Sequence, residues 1–141
     1  MSFYPLDSNW TVKRFRKKAS TAFAPNKLVA FETNGAGGDP IEPADASDAA
    51  LIGICLQTIA ATDADYADNT RISVLVPTAK GAKMFGDVGT GTLTVADEGL
   101  LVDLKDDDEV DQSASTKDVL IVEKFLTAAT GEFSINLPNF K

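Results

Sequence analysis

Carboxylates are the side chains of this sequence that could most readily do chemistry. Their densest run is Asp-Asp-Asp-Glu at residues 106–109, with Asp103 and Asp111 nearby. Carboxylates so close together can share a proton or bind a hard cation such as Ca²⁺. Consecutive acids on one loop normally point into water, however, and a charge run is usually a solvated surface. We therefore expect neither a catalytic group nor a metal ion here.

A second acidic stretch, residues 63–69, resembles a calcium-binding loop only in part. Asp63 and Asp65 stand at the first and third positions of such a loop. The fifth position, which needs an oxygen ligand, is Ala67, and the sixth, which needs glycine, is Asp68. The mismatch favours a solvated acidic loop over a metal site.

The glycine-rich stretch at residues 34–40, Asn-Gly-Ala-Gly-Gly-Asp-Pro, superficially resembles a phosphate-binding loop. It lacks the lysine and hydroxyl residue of a P-loop, and no clear helix follows to supply a dipole. We interpret it as a hairpin connection.

Residue types that most enzymes need are scarce. The chain has no histidine, which excludes Ser-His and Cys-His nucleophile pairs and the commonest metal ligand. Its only cysteine, Cys55, lies in an apolar run and is expected to be a buried, inert thiol. The sequence predicts a protein that is not an enzyme and has no cofactor. One catalytic alternative stays open, a small hydrolase using Asp97, Glu98 or the acids at 103–111, and it would need a carboxylate of raised pKa.

The N-terminal segment is basic and aromatic, unlike the rest of the chain. Residues 1–27 hold six basic residues and one acid, a net charge of +5, whereas the remaining 114 residues carry −13. Cations and flat rings supply most of the binding energy at interfaces. We therefore predict a partner-binding site formed by Phe3, Tyr4, Trp10, Lys13, Arg14, Phe15, Arg16, Lys17 and Lys18.

Three partners for this segment were weighed. An acidic protein surface fits the charge best. Nucleic acid could be bound by phosphate neutralisation and stacking, but a net charge of −8 disfavours contact of the main body with nucleic acid or with an anionic membrane. Alternatively, the segment lies along its own acidic sheet.

The elements that position these residues are expected to be strands. Residues 1–26 lack a sustained period and contain Pro5 and Pro25, so we expect an extended arm with one short ordered stretch around residues 10–15. Residues 27–141 are expected to form a single β-rich domain. Its predicted strands are 28–32, 51–59, 71–76, 83–85, 92–95, a row at Leu100, Val102 and Leu104, 119–126 and 132–137. Residues 44–50 could add one or two helical turns. This pattern predicts an all-β fold, a small antiparallel β-barrel or sandwich.

The order of several of these runs resembles a known family. Residues 24–29, 51–56, 72–77, 92–100 and 115–126 follow one another as in the small capsid decoration (cement) proteins of tailed bacteriophages. The resemblance implies a β-tulip-like fold with an N-terminal arm that reaches the shell. It also implies a virion protein, made in the host cytoplasm, that binds the capsid exterior and cements neighbouring major capsid subunits. The implied partners are the major capsid protein and further copies of the chain in a homotrimer.

Overall fold

The computed structural model describes residues 2–32 and 39–137, and within them the all-β prediction is confirmed. One 3-10 turn, Val95–Asp97, stands among the strands, and no helix of the described residues is long and apolar enough to span a membrane. The strands are β1 Tyr4–Pro5, β2 Trp10–Arg16, β3 Leu28–Phe31, β4 Ile41–Pro43, β5 Gly53–Cys55, β6 Arg71–Pro77, β7 Met84–Thr90, β8 Leu101–Asp106, β9 Glu109–Asp111, β10 Leu120–Thr127 and β11 Thr130–Ile135.

The strands form two sheets in a sandwich-like arrangement. One sheet has the order β1-β7-β11-β10-β8-β9, and β9 also pairs in parallel with β7. The other has the order β2-β6-β5-β3-β4. A bridge between Lys17 and Ile41 brings the end of β2 beside the start of β4. The two outer strands of the second sheet therefore approach each other at one point.

The inner strands β3 and β5 of the second sheet are buried on both faces, and apolar residues follow one another along them without a polar alternation. Leu28 and Ile54 point into a core shared with the first sheet, against residues such as Phe133. Their neighbours Val29 and Cys55 point the other way, into a second core. That second core is completed by Phe23, Ile41, Ile59, Ile72, Val74 and Val76. Doubly buried strands of this kind read as continuous apolar runs.

The N-terminal segment is not an extended arm, which corrects the expected boundary at residue 26. β1 pairs with β7, and β2 pairs with β6 along all of Trp10–Arg16. Phe3 is fully buried, and its ring leaves no room for a Cβ at Gly86, which would come within 2.7 Å. Sequence periodicity missed β2 because it is an outer strand with no fully buried residue, so its side chains show no two-residue alternation of burial.

Several other predicted elements differ in extent. The predicted strand at 92–95 is wrong. Thr94 is the N-cap of the 3-10 turn, where its backbone N–H donates to the Asp97 carboxylate, and Val95 is 64% exposed. β7 is longer than expected, because Gly86 and Gly89 within it make room for side chains from neighbouring strands. Of the row at Leu100, Val102 and Leu104, Leu100 is exposed. The run 51–59 gives only the central strand β5, and residues 44–50 form a turn instead of a helix. Most of the predicted hairpin connection at 34–40 lies outside the described residues.

Candidate functional site

The candidate site is the outer edge of β2, the most basic strand of the protein. β2 stands at the end of the second sheet and pairs with β6 in antiparallel register. The backbone N–H of Lys17 donates to the carbonyl oxygen of Thr70 at 2.9 Å, and the N–H of Thr78 donates to that of Asn9 at 2.8 Å. These two bonds show which residue pairs of β2 and β6 are hydrogen-bonded. Bonded and non-bonded pairs alternate in such a ladder, so the N–H and C=O groups of Val12 and Arg14 point away from β6. Among residues 2–32 and 39–137, β6 is the only strand paired with β2, so the other edge of β2 is open to the rest of the described chain.

The side chains along this edge are mostly exposed and cationic. Lys13, Arg14 and Arg16 are exposed, and Val12 is 54% exposed between them. Trp10 is half-buried, and its indole N–H donates to the carbonyl oxygen of Lys83 at 3.3 Å. The strand thus offers backbone groups, positive charge and some apolar surface together.

The seam between β2 and β4 is closed at one end. The backbone N–H of Lys18 donates to the carbonyl oxygen of Ile41 at 2.8 Å. The Lys18 ammonium lies 3.0 Å from Glu42 and 3.6 Å from Glu32, and the hydrogen bond to Glu42 leads the interactions that raise the lysine pKa. Lys18 therefore joins the two outer strands and is engaged within the protein.

Beyond that closure the seam opens into a cavity of about 250 Å³. Three of its wall residues lie outside the predicted site: Phe31 at the end of β3, Asp39 before β4 and Arg71 at the start of β6. The Phe31 ring meets Phe15 edge to face, with centroids 5.9 Å apart. The six lining residues are Arg14, Phe15, Arg16, Phe31, Asp39 and Arg71. Sequence reasoning missed Arg71 and Phe31 because only strand pairing brings these distant residues beside β2.

Two residues of the predicted partner-binding site are inside the protein, which corrects their assignment. Phe3 is part of the main core, and Lys17 is also fully buried. The Lys17 ammonium donates to the carbonyl oxygens of Tyr66, at 3.1 Å, and Asp68. Lys17 therefore organises the acidic loop at 63–69 instead of binding a partner. Tyr4 is exposed but lies on the other sheet, beside Phe85, with ring centroids 6.2 Å apart.

Two carboxylates of the acidic loop at 63–69 bond within their own loop region. Asp63 accepts from the backbone N–H of Ala60 at 2.7 Å, and Asp65 accepts from the Thr70 hydroxyl at 3.0 Å. Each carboxylate thus holds a turn of its own stretch of chain.

The acids at 106–109 do converge, at the turn between β8 and β9. One oxygen from each of Asp106, Asp107 and Asp108 lies within 4.8 Å of the others, so these three residues could hold a cation. The Lys27 ammonium already lies 3.3 Å from Asp108. Burial, followed by the hydrogen bond with Asp108, raises the pKa of Asp106 to about 6. At neutral pH the turn carries crowded negative charge that Lys27 partly balances.

The other carboxylates of the hydrolase alternative serve as structural acceptors. Asp103 is 5% exposed and accepts from the backbone N–H groups of Thr116, Lys117 and Asp118 at 2.8–3.1 Å. Asp97 accepts from Thr94, and Glu98 accepts from the backbone N–H of Phe125 at 2.9 Å. A carboxylate that accepts from backbone N–H groups in this way orients the segment that donates to it.

Comparisons with known proteins give no family assignment: no protein-family model, curated protein or solved structure matches the chain. The functional argument therefore depends on the geometry of the β2 edge and on the resemblance of the sequence.

Proposed function

We propose that this protein is a capsid decoration protein that binds the exterior of a tailed-phage shell and cements neighbouring major capsid subunits. The observation that carries the proposal is the open edge of β2, a seven-residue strand with exposed Lys13, Arg14 and Arg16. This edge stands on a chain whose net charge is −8. Such an edge is better suited to binding an acidic protein partner than to binding the substrate of an enzyme.

The contact we propose is strand addition. A strand of the capsid protein pairs with the outward backbone groups of Val12 and the outward N–H of Arg14, whose carbonyl oxygen already accepts from Arg71, and main-chain hydrogen bonds supply affinity. The cationic side chains orient the approach and raise the association rate more than they raise the final affinity. Because β2 is already ordered by its pairing with β6, binding avoids most of the entropy cost that a disordered arm would pay.

The charge on β2 also limits what can pair with it. Two copies of β2 laid edge to edge would bring like charges together, which natural proteins use to prevent self-association. The homotrimer that the resemblance implies would use another surface and leave three β2 edges facing the shell. Three weak contacts on a symmetric shell add strongly through avidity.

The test uses capsid shells that lack the decoration protein, with bound copies per shell measured after sedimentation. Val12→Pro removes one outward N–H and leaves the β2–β6 ladder intact, since proline is tolerated on an outer strand whose N–H faces solvent. The matched control, Val12→Ala, removes the side chain and keeps the N–H. We expect the proline variant to bind about tenfold or more weakly than the alanine variant.

Two results would overturn the proposal. One is equal shell binding by the two folded Val12 variants, which would show that the capsid contact is not strand addition at β2. The other is an absence of shell binding combined with association to DNA that weakens steeply with salt, which would favour nucleic acid as the partner.

A further inference from the structure

The cavity in the seam between β2 and β4 combines charge with flat apolar surface. Three guanidinium groups, one carboxylate and two phenyl rings line about 250 Å³, a volume suited to one small group. We propose that this cavity binds a carboxylate monoanion carried on an aromatic or apolar body, with Arg14 and Arg71 holding the carboxylate.

The two arginines are braced in place across β2 and β6. An Nη2–H of Arg14 donates to the carbonyl oxygen of Arg71 at 2.7 Å, and an Nη1–H of Arg71 donates to the carbonyl oxygen of Arg14 at 3.4 Å. A guanidinium carries five N–H donors, so each side chain keeps donors for a ligand after making this bond. The remaining fork matches the two oxygens of a carboxylate.

The phenyl rings provide the surface for the body of the ligand. Phe15 and Phe31 are half-buried, line the cavity and pack edge to face against each other, with an interplanar angle of 78°. Both rings pack against the second core, which fixes their positions. A flat ligand can therefore stack on a wall that is already ordered.

The charge of the lining selects a monoanion. Three arginines and Asp39 give a net charge of +2, and the Asp39 carboxylate repels a dianion more strongly than a monoanion. Phosphate is also more strongly hydrated, and dehydrating it against two phenyl rings costs more than dehydrating a carboxylate. The cavity shares Arg14 and Arg16 with the proposed capsid contact, but binding of a small anion is measured without shells and is therefore tested independently.

Benzoate is the probe. Amide and arginine side-chain NMR signals are followed during titration at constant ionic strength, with inorganic phosphate and the neutral analogue benzamide in parallel. We expect saturable shifts at Arg14, Phe15 and Arg71 with a Kd of about 1–10 mM, since the guanidiniums are exposed and hydrated. Benzamide should cause no saturable shift, and phosphate should bind more weakly than benzoate.

Two variants locate the site. Arg71→Gln removes one guanidinium and should weaken benzoate binding about tenfold. Lys13→Gln removes a cation from the same strand outside the cavity lining and should change the Kd less than about twofold. If Arg71→Gln does not fold, Arg14→Gln takes its place.

Absence of saturation by about 50 mM benzoate would overturn the proposal. So would equal binding of benzamide, tighter binding of phosphate, or an equal loss in the Lys13 variant. Shell binding is measured separately, so a failure here leaves the capsid proposal standing, and the reverse also holds.

Discussion

The two densest charge clusters of the chain are arranged in opposite ways. The basic cluster, residues 13–18, follows a strand and its end, so its side chains separate: Lys17 is buried, Lys18 joins Glu42, and Arg14 and Arg16 line a cavity. The acidic turn, residues 106–109, reverses the chain, so its carboxylates converge on one another and on Lys27. A similar density of charged residues in the sequence therefore gives separated cations in the basic cluster and crowded carboxylates in the acidic turn.

This difference teaches what a charge run can do. Dispersed cations present an outward surface, and the cost of keeping them apart is small because water surrounds most of them. In the acidic turn burial raises the pKa values of Asp106 and Asp107, which opposes folding at neutral pH, whereas the pKa of Asp108 is lowered. The acidic turn therefore makes stability depend on pH, and the exposed cations of β2 carry the binding proposal.

The largest expected effect comes from removing the anchor of the N-terminal segment. Phe3→Ala empties a fully buried site in the main core and should lower the free energy of unfolding by about 3–5 kcal/mol. Tyr4→Ala is the control, because Tyr4 follows Phe3 in the chain but is 46% exposed, and its loss should cost about 1 kcal/mol or less. Chemical denaturation measures both. Equal, small losses would mean that the segment is the detached arm expected from the sequence.

The next effect separates two lysines of the basic cluster. Lys17→Met keeps the buried stem but leaves the carbonyl oxygens of Tyr66 and Asp68 without the ammonium, and should cost about 2–3 kcal/mol. Lys13→Met lies at an exposed position and should change stability by less than about 0.5 kcal/mol. Denaturation midpoints of the two variants give the comparison. A Lys17 variant as stable as the Lys13 variant would mean that Lys17 is an exposed residue and not a buried one.

Much of this difference between the clusters was not predictable from the sequence. Apolar runs identified β3, β6, β10 and β11, because buried strands carry a strong signal. An outer strand such as β2 has no buried face, so neither its pairing nor the burial of Lys17 just beyond it leaves a periodic trace. The cavity depends on Arg71, which is 55 positions from Arg16 and meets it only through strand register. Long-range pairing of this kind is set by the whole sheet.

The acidic turn should make stability depend on pH. The pKa of Asp106 rises from 3.8 to about 6 on folding, chiefly through burial, so the folded protein holds a proton that the unfolded chain releases in this window. The contribution of Asp106 to stability therefore falls as pH rises from about 4 to about 6. Asp106→Asn removes that loss and keeps an oxygen to accept from the backbone N–H of Asp108.

We expect the stabilisation by Asp106→Asn to be small below pH 4 and to grow to a plateau above pH 6. Thermal denaturation at several pH values measures it. Asp63→Asn is the control, because it makes the same change at an exposed position of the acidic loop at 63–69, outside the acidic turn. A gain that does not vary with pH would show that Asp106 is not crowded in the folded protein.

The smallest effect tests the contact between the acidic turn and Lys27, a lysine outside the basic cluster. The Lys27 ammonium lies 3.3 Å from Asp108, with both side chains partly exposed, and Lys27→Met should cost about 0.5–1 kcal/mol at pH 7. Asp106 and Asp107, whose pKa values are raised chiefly by burial, take up protons as the pH falls to 4, whereas the pKa of Asp108 is lowered and its charge persists, so the loss should shrink only in part. Lys105→Met, which removes the cation 3.5 Å from Glu109, is the matched control. A loss from Lys27→Met that is the same at both pH values would mean that Asp106 and Asp107 contribute little to the attraction and that Asp108 is the main partner of the lysine.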